Sequence, residues 1–143
     1  MGLFGNLFRK GEEPNKNWSD SVLGHTEWSK DDEAWCGEFQ SFRFTISYEW
    51  TKDPDPTLVE YAREILQSPD WLFDSLINSK ISAKQEYGEE LSERIEQLEY
   101  ETFHFMLQKG KPVILADLGE DEDGRSWRIE FSERTCAGIG FDS

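Results

Sequence analysis

Residues 34–50 read AWCGEFQSFRFTISYEW, and the second half of that stretch decides the fold. Phe42, Phe44, Ile46, Tyr48 and Trp50 take every second position, with Arg43, Thr45, Ser47 and Glu49 between them. Strict alternation of large apolar and polar side chains marks a strand with one covered face. At helical pitch the same five side chains would scatter round the whole circumference. So wide an aromatic face needs a second layer to cover it.

Upstream, two shorter strands precede it. His25–Ser29 runs into an acidic turn, Lys30–Glu33, and Trp35–Phe39 turns at Gln40–Ser41 into the long strand. Trp28, Trp35 and Phe39 are cross-strand partners for its aromatic row. Downstream, Thr51–Pro56 (TKDPDP) ends the pattern, because proline cannot donate to a ladder.

Asp55–Pro56 then has the form of a helix start, Asp as N-cap and Pro at the first helical position. Leu58, Val59, Ala62, Ile65 and Leu66 follow at 3.6-residue spacing. Ser68–Pro69 repeats the start signal for a second helix, whose inner side takes Trp71, Leu72, Ser75, Leu76 and Ile81, and which Gly88 ends. Ser92–Gln97 forms a short third helix with Ile95 turned inward.

Near Tyr100 the period returns to two. Phe103, Phe105 and Leu107 make a strand closed by Lys109–Gly110, and Val113–Leu118 makes another. GEDEDG (119–124) is a turn, Trp127, Ile129 and Phe131 alternate again, and TCAGIGFDS supplies a last edge strand. The expected fold is α+β: an antiparallel sheet of about six strands, with two to three helices inserted between an N-terminal three-stranded meander and a C-terminal hairpin or meander. Residues 1–20 are expected as a leader and polar linker, and 21–143 as a single domain.

The opening MGLFGNLFRK spaces Leu3, Phe4, Leu7 and Phe8 for a turn or two of helix that docks or frays. Its apolar part is too short for a secretory signal and its charges follow instead of leading, while Asn6 breaks a myristoylation motif. A cytoplasmic protein is the expectation, with Cys36 and Cys136 as free thiols.

Thirty acidic against fifteen basic residues give a formal net charge of −15. Such a field repels phosphates and anionic lipid and attracts basic proteins. Direct nucleic-acid binding and stable membrane insertion are therefore not expected, and the partner suggested is a basic protein. The histidines, His25 and His104, make no metal-type spacing with the two cysteines. An EF-hand register begun at Gly119 lacks the carboxylate its first position needs, and a hairpin with Asp123–Gly124 at its tip accounts for the same residues. Nucleophile elbows and glycine-rich phosphate loops are absent. No catalytic residue, cofactor or metal follows from the sequence.

What stands out is distributed charge. Glu86, Glu89, Glu90, Glu93, Glu96, Glu99 and Glu101 crowd one segment, offset by Arg94, and Asp117, Glu120, Asp121, Glu122 and Asp123 follow. On one side of the fold they would make a negative surface for a basic partner. The plain alternative is a solvated helix and a solvated turn.

Leu23–Gly24, Trp28, Trp35-Cys36-Gly37, Phe44 and Ile46, the two middle helices, and Asp123–Gly124 leading into Trp127-Arg128-Ile129 together form a pattern. It resembles that of small bacterial domains of unknown function, some of them immunity-like proteins found beside polymorphic toxins. The resemblance spans residues 23–143 and implies a fold without an assigned activity. The expectation is an acidic binding protein, of an immunity type that neutralises a basic effector. A nucleic-acid mimic and an enzyme with an unrecognised carboxylate site are the alternatives. Oligomeric state is left open.

Overall fold

In the computed structural model, which describes residues 11–133 and 135–142, eight strands lie side by side in the order in which the chain makes them. They are β1 (Asn17–Asp20), β2 (Gly24–Ser29), β3 (Ala34–Phe39), β4 (Phe42–Ser47), β5 (Thr102–Gln108), β6 (Lys111–Glu120), β7 (Ser126–Ser132) and β8 (Thr135–Asp142). Three helices stand between β4 and β5: α1 (Pro56–Gln67), α2 (Asp70–Tyr87) and α3 (Glu89–Glu96). Every neighbouring pair of strands is antiparallel except β4 and β5. That pair is parallel because the helices carry the chain back to the end at which β4 began. The class is α+β, as expected, with eight strands in place of about six.

The last edge strand expected in the tail is present as β8, and the strand not foreseen is β1. Residues 17–20, expected as the end of a linker, pair with β2 through Asn17↔Glu27 to Asp20↔Gly24. Four residues with one aromatic are too few for alternation to show. The segment before β1 is also laced to the sheet: Glu12 N–H donates to the Trp50 carbonyl (3.0 Å), and Trp35 Nε1 donates to the Asn15 carbonyl (2.8 Å). The helical turns expected at Leu3–Phe8 lie outside the described residues.

Two apolar rows cross the sheet beneath the helices. Ile46, Phe105, Ile114 and Phe131 form one, and Phe44, Phe103, Ala116, Ile129 and Ile139 the other, each joined by register. These residues are buried together with Leu58, Ala62, Ile65 and Leu66 of α1, Leu72 and Leu76 of α2, and Ile95 of α3. Burying such side chains contributes about 1.5–3 kcal/mol each, so the rows are the main adhesive between sheet and helices.

The alternation that decides the fold holds for Phe44 and Ile46 and then stops. β4 ends at Ser47; Trp50 has a positive φ (69°) and is 58% exposed, so it is not part of the covered face. Tyr48 and Trp50 instead stack in a side cluster with Trp28 and Trp35.

The helix ends follow local rules with one exception. Asp55 accepts from Thr57 N–H (2.8 Å) and Leu58 N–H (3.4 Å), and Pro56 opens α1. Gly88, at φ 77°, closes α2 and sits just before α3. Ser68–Pro69 does not cap α2 as expected: Ser68 ends α1, Pro69 takes the N-cap place in α conformation, and no side chain accepts there. The inner stripe of α2 is Leu72, Leu76, Ser79 and Ala83, an i, i+4, i+7, i+11 series. Ile81 lies two residues past Ser79, about 200° round the helix, and is 54% exposed instead of inward.

Asp20 locks the turn after β1 to α1. Its carboxylate accepts from Val22 N–H and Leu23 N–H (both 3.0 Å) and from the Arg63 guanidinium, and its side chain is only 4% exposed. The Arg63 hydrogen bond, helped by the two backbone donors, outweighs burial and lowers the Asp20 pKa to about 2. Among the described residues no helix is long and apolar enough to cross a membrane.

Candidate functional site

The acidic residues singled out in the sequence come from two places, α3 and the β6–β7 hairpin, and the fold sets these against each other. α3 begins immediately after the Gly88 turn and buries Ile95. The hairpin is shaped by Asp121, whose Oδ1 accepts from Asp123 N–H (2.9 Å) and Arg125 N–H (3.0 Å) and whose Oδ2 accepts from Trp127 Nε1 (2.9 Å). Burial raises the Asp121 pKa, but these donors and the Arg125 guanidinium outweigh it and hold the carboxyl well below its ordinary range. Arg94 reaches across from α3 and pairs with both Asp121 (3.6 Å) and Asp123, which clamps helix to hairpin.

Between them runs a groove of about 760 Å³, lined by Glu90, Glu93, Glu99, Glu101, Glu120, Asp121 and Glu122, with Leu98 and Leu118 among the lining residues. Among the described residues, Arg94 is its sole basic lining residue. Since Arg94 is spent on Asp121 and Asp123, the other six carboxylates have no ion pair among the described residues. Like charges gathered round one concavity focus the field there.

A bulge brings Glu101 into this set. Register between β6 and β7 slips between Asp117 and Gly119, and Gly119 takes φ 90°. A β-carbon at Gly119 would run into the Glu101 carboxylate. Gly119→Ala is expected to cost about 1–2 kcal/mol, most of it backbone strain. Glu101→Ala in the same chain should recover only the smaller, steric part, because the Glu101 side chain can swing away. Thermal melts of the single and double variants check this, and a neutral Gly119→Ala would refute the strained bulge.

The predicted acidic residues divide as follows. Glu90, Glu93, Glu120, Asp121 and Glu122 line the groove, as do Glu99 and Glu101. Asp123 sits at the rim, paired with Arg94 and Arg125. Glu96 turns to Lys84 (2.6 Å), which holds its carboxyl below the ordinary range. Glu86 and Glu89 are exposed and stand outside the lining. Glu89 and Glu90 occupy the first turn of α3, where negative charge also suits the helix dipole.

A second polar constellation was not legible in the sequence. On the sheet face opposite the apolar rows, His104 on β5 is hydrogen-bonded through Nδ1 to the Thr45 hydroxyl on β4 (2.8 Å) and through Nε2 to Asp117 on β6 (2.7 Å). An ionised Asp117 accepts from Nε2–H, which leaves Nδ1 to accept from the Thr45 hydroxyl. The order hydroxyl, imidazole, carboxylate is that of an activated nucleophile. Thr45, however, is 8% exposed, and its bond with His104 cross-links the parallel β4–β5 junction. Alternation marks all three residues as polar-face positions; their adjacency depends on register, which single strands do not reveal.

Cys36 and Cys136 are both free. Cys36 pairs by register with Thr45 on the open face, while Cys136 meets Ser79 of α2 beneath the helices (3.1 Å), so the two lie on opposite faces of the sheet. Burial, reinforced by Asp32, pushes the Cys36 thiol above its ordinary pKa, away from thiolate reactivity. No protein-family model, no curated protein and no solved structure matches this chain, so function has to be read from the groove itself.

Proposed function

We propose that this chain is a binding protein whose acidic groove receives a basic segment of a partner protein, in the manner of an immunity-type protein that neutralises a basic effector. The observation that carries this reading is the set of six carboxylates round one groove with no ion pair among the described residues. Exposed carboxylates beside a low-dielectric wall attract a cationic partner from a distance and set its register on arrival. Lysine or arginine side chains of the partner meet six carboxylates that form no ion pair with a cation among the described residues. The net charge of −15 adds long-range steering.

The test is a pull-down from native lysate of the organism that makes the protein, eluted with a rising salt gradient. The wild-type chain is expected to retain one basic protein at stoichiometric yield, released by moderate salt. A variant with Glu90, Glu93, Glu120 and Glu122 all changed to lysine should lose it, with affinity falling at least about a hundredfold. All four side chains are exposed, so the variant keeps the fold. A specific partner held equally by both chains, or held without regard to salt, would overturn the assignment to this groove.

A further inference from the structure

Beyond the end of β4, the side cluster of aromatics holds out one large ring. Trp50 takes φ 69° and keeps 58% of its surface in solvent. A bulky side chain at positive φ is strained, so its neighbours have to hold it there. Glu12 N–H donates to the Trp50 carbonyl (3.0 Å), and Gly11 lies so close that a β-carbon on it would stand 2.6 Å from Trp50 Cβ. Tyr48 packs against the indole (ring centroids 5.2 Å apart), and its hydroxyl donates to the Glu12 carbonyl. The ring is thus fixed before a partner arrives, and tryptophans held in this way serve as interface anchors at low entropic cost.

The surroundings of the ring select what it anchors. Residues 11–16, 30–33 and 49–53 adjoin the cluster through the Glu12–Trp50 bond, a bond from Tyr48 N–H to the Glu33 carbonyl (3.0 Å) and one from Trp28 N–H to the Lys16 carbonyl (2.8 Å). Together they carry seven carboxylates and three lysines, and none of the seven is in an ion pair among the described residues. One of those lysines already shows the chemistry: Lys16 Nζ stands over the Trp28 ring, 6.0 Å from its centroid. The face of an indole attracts a cation through its quadrupole. A guanidinium suits an exposed indole better than an ammonium does, being planar, able to stack and more weakly hydrated.

We infer that Trp50, backed by Tyr48 and flanked by Glu12 and Glu33, is a docking site for an arginine side chain of a basic partner protein. The site is separate from the acidic groove. β6 runs antiparallel to β5, so the β6–β7 hairpin lies at the end of the sheet where β4 begins, whereas Trp50 follows the end where β4 finishes. Arginine docking at Trp50 therefore stands whether or not the groove binds.

An arginine–glycine repeat peptide tests this, with the same peptide carrying citrulline in place of arginine as the neutral control. Proton–nitrogen correlation spectra of the full chain resolve the two ends of the sheet residue by residue. The arginine peptide is expected to move the Trp50 Nε1–H resonance saturably, with Kd on the order of 1 mM, and the citrulline peptide to leave it in place. Trp50→Leu, at a side chain already exposed, keeps apolar bulk but removes the ring face. It should weaken binding about two- to fivefold, read from the Tyr48 and Glu12 amides. Glu12→Gln and Glu33→Gln together should weaken it about threefold at low salt and less at high salt. Far-UV circular dichroism establishes that each variant is folded. Shifts confined to Glu90, Glu93, Glu120 and Glu122 would put the peptide in the groove alone, overturning the Trp50 site and leaving the groove reading intact. A citrulline peptide that binds as well as the arginine one overturns it too, as does a Trp50→Leu chain that binds as tightly at this end as wild type.

Discussion

Trp127→Ala is expected to be the most damaging single substitution, lowering stability by about 4 kcal/mol. Trp127 is 1% exposed and packs against Phe141 (ring centroids 4.7 Å apart) and Tyr87 (5.8 Å), joining β7 to β8 and to the last turn of α2. Its Nε1 donates to Asp121, the residue that shapes the hairpin beside the groove. Alanine therefore opens a cavity and also leaves an inward carboxylate short of a donor. With total stability on the order of 5–15 kcal/mol, the variant should be largely unfolded at modest denaturant. Trp127→Phe separates the two effects, because it keeps most of the ring packing and loses only the donor. Equilibrium urea unfolding of both variants is the measurement. If Trp127→Phe proved as damaging as Trp127→Ala, the hydrogen bond, not the packing, would be the dominant contribution.

The second large effect is at Asp20. Asp20→Ala removes the acceptor of two backbone N–H groups and of the Arg63 guanidinium, and is expected to cost about 3 kcal/mol. The pH dependence gives an independent signature. The Asp20 pKa falls from 3.8 to about 2 on folding, so its contribution is complete above about pH 4 and is lost as pH falls through about 2. Asp121 is depressed too and its contribution disappears in the same direction. Acid unfolding of the wild-type chain should therefore steepen below pH 4, and Asp20→Ala should flatten that limb while lowering stability at pH 7. Parallel acid limbs for the two proteins would mean that Asp20 does not hold the turn as its contacts imply.

Much of this architecture is written in residue periodicity. Alternation marked six of the eight strands, the Asp55–Pro56 start gave α1 with all five of its buried residues, Gly88 marked the end of α2, and Ile95 was legible as the inward residue of α3. Those signals are local: a cap, a turn or a buried face needs only a few neighbours in the chain. The density of glutamates on α3 and the hairpin was equally plain.

Tertiary structure decided the rest. The partners of β4 and β5 lie across the three helices, and their parallel register exists only once those helices pack. That register sets Thr45 beside His104, the antiparallel register of β5 and β6 sets Asp117 diagonally from His104, and the packing of α3 against the β6–β7 hairpin divides the acidic residues into those that face the groove, those spent on Arg94, Arg125 or Lys84, and those facing solvent. The outward turn of Ile81 has the same origin, since the sheet selects which stripe of α2 is buried. Composition and period fixed which elements form; only the packing of elements distant in sequence fixed which side chains meet.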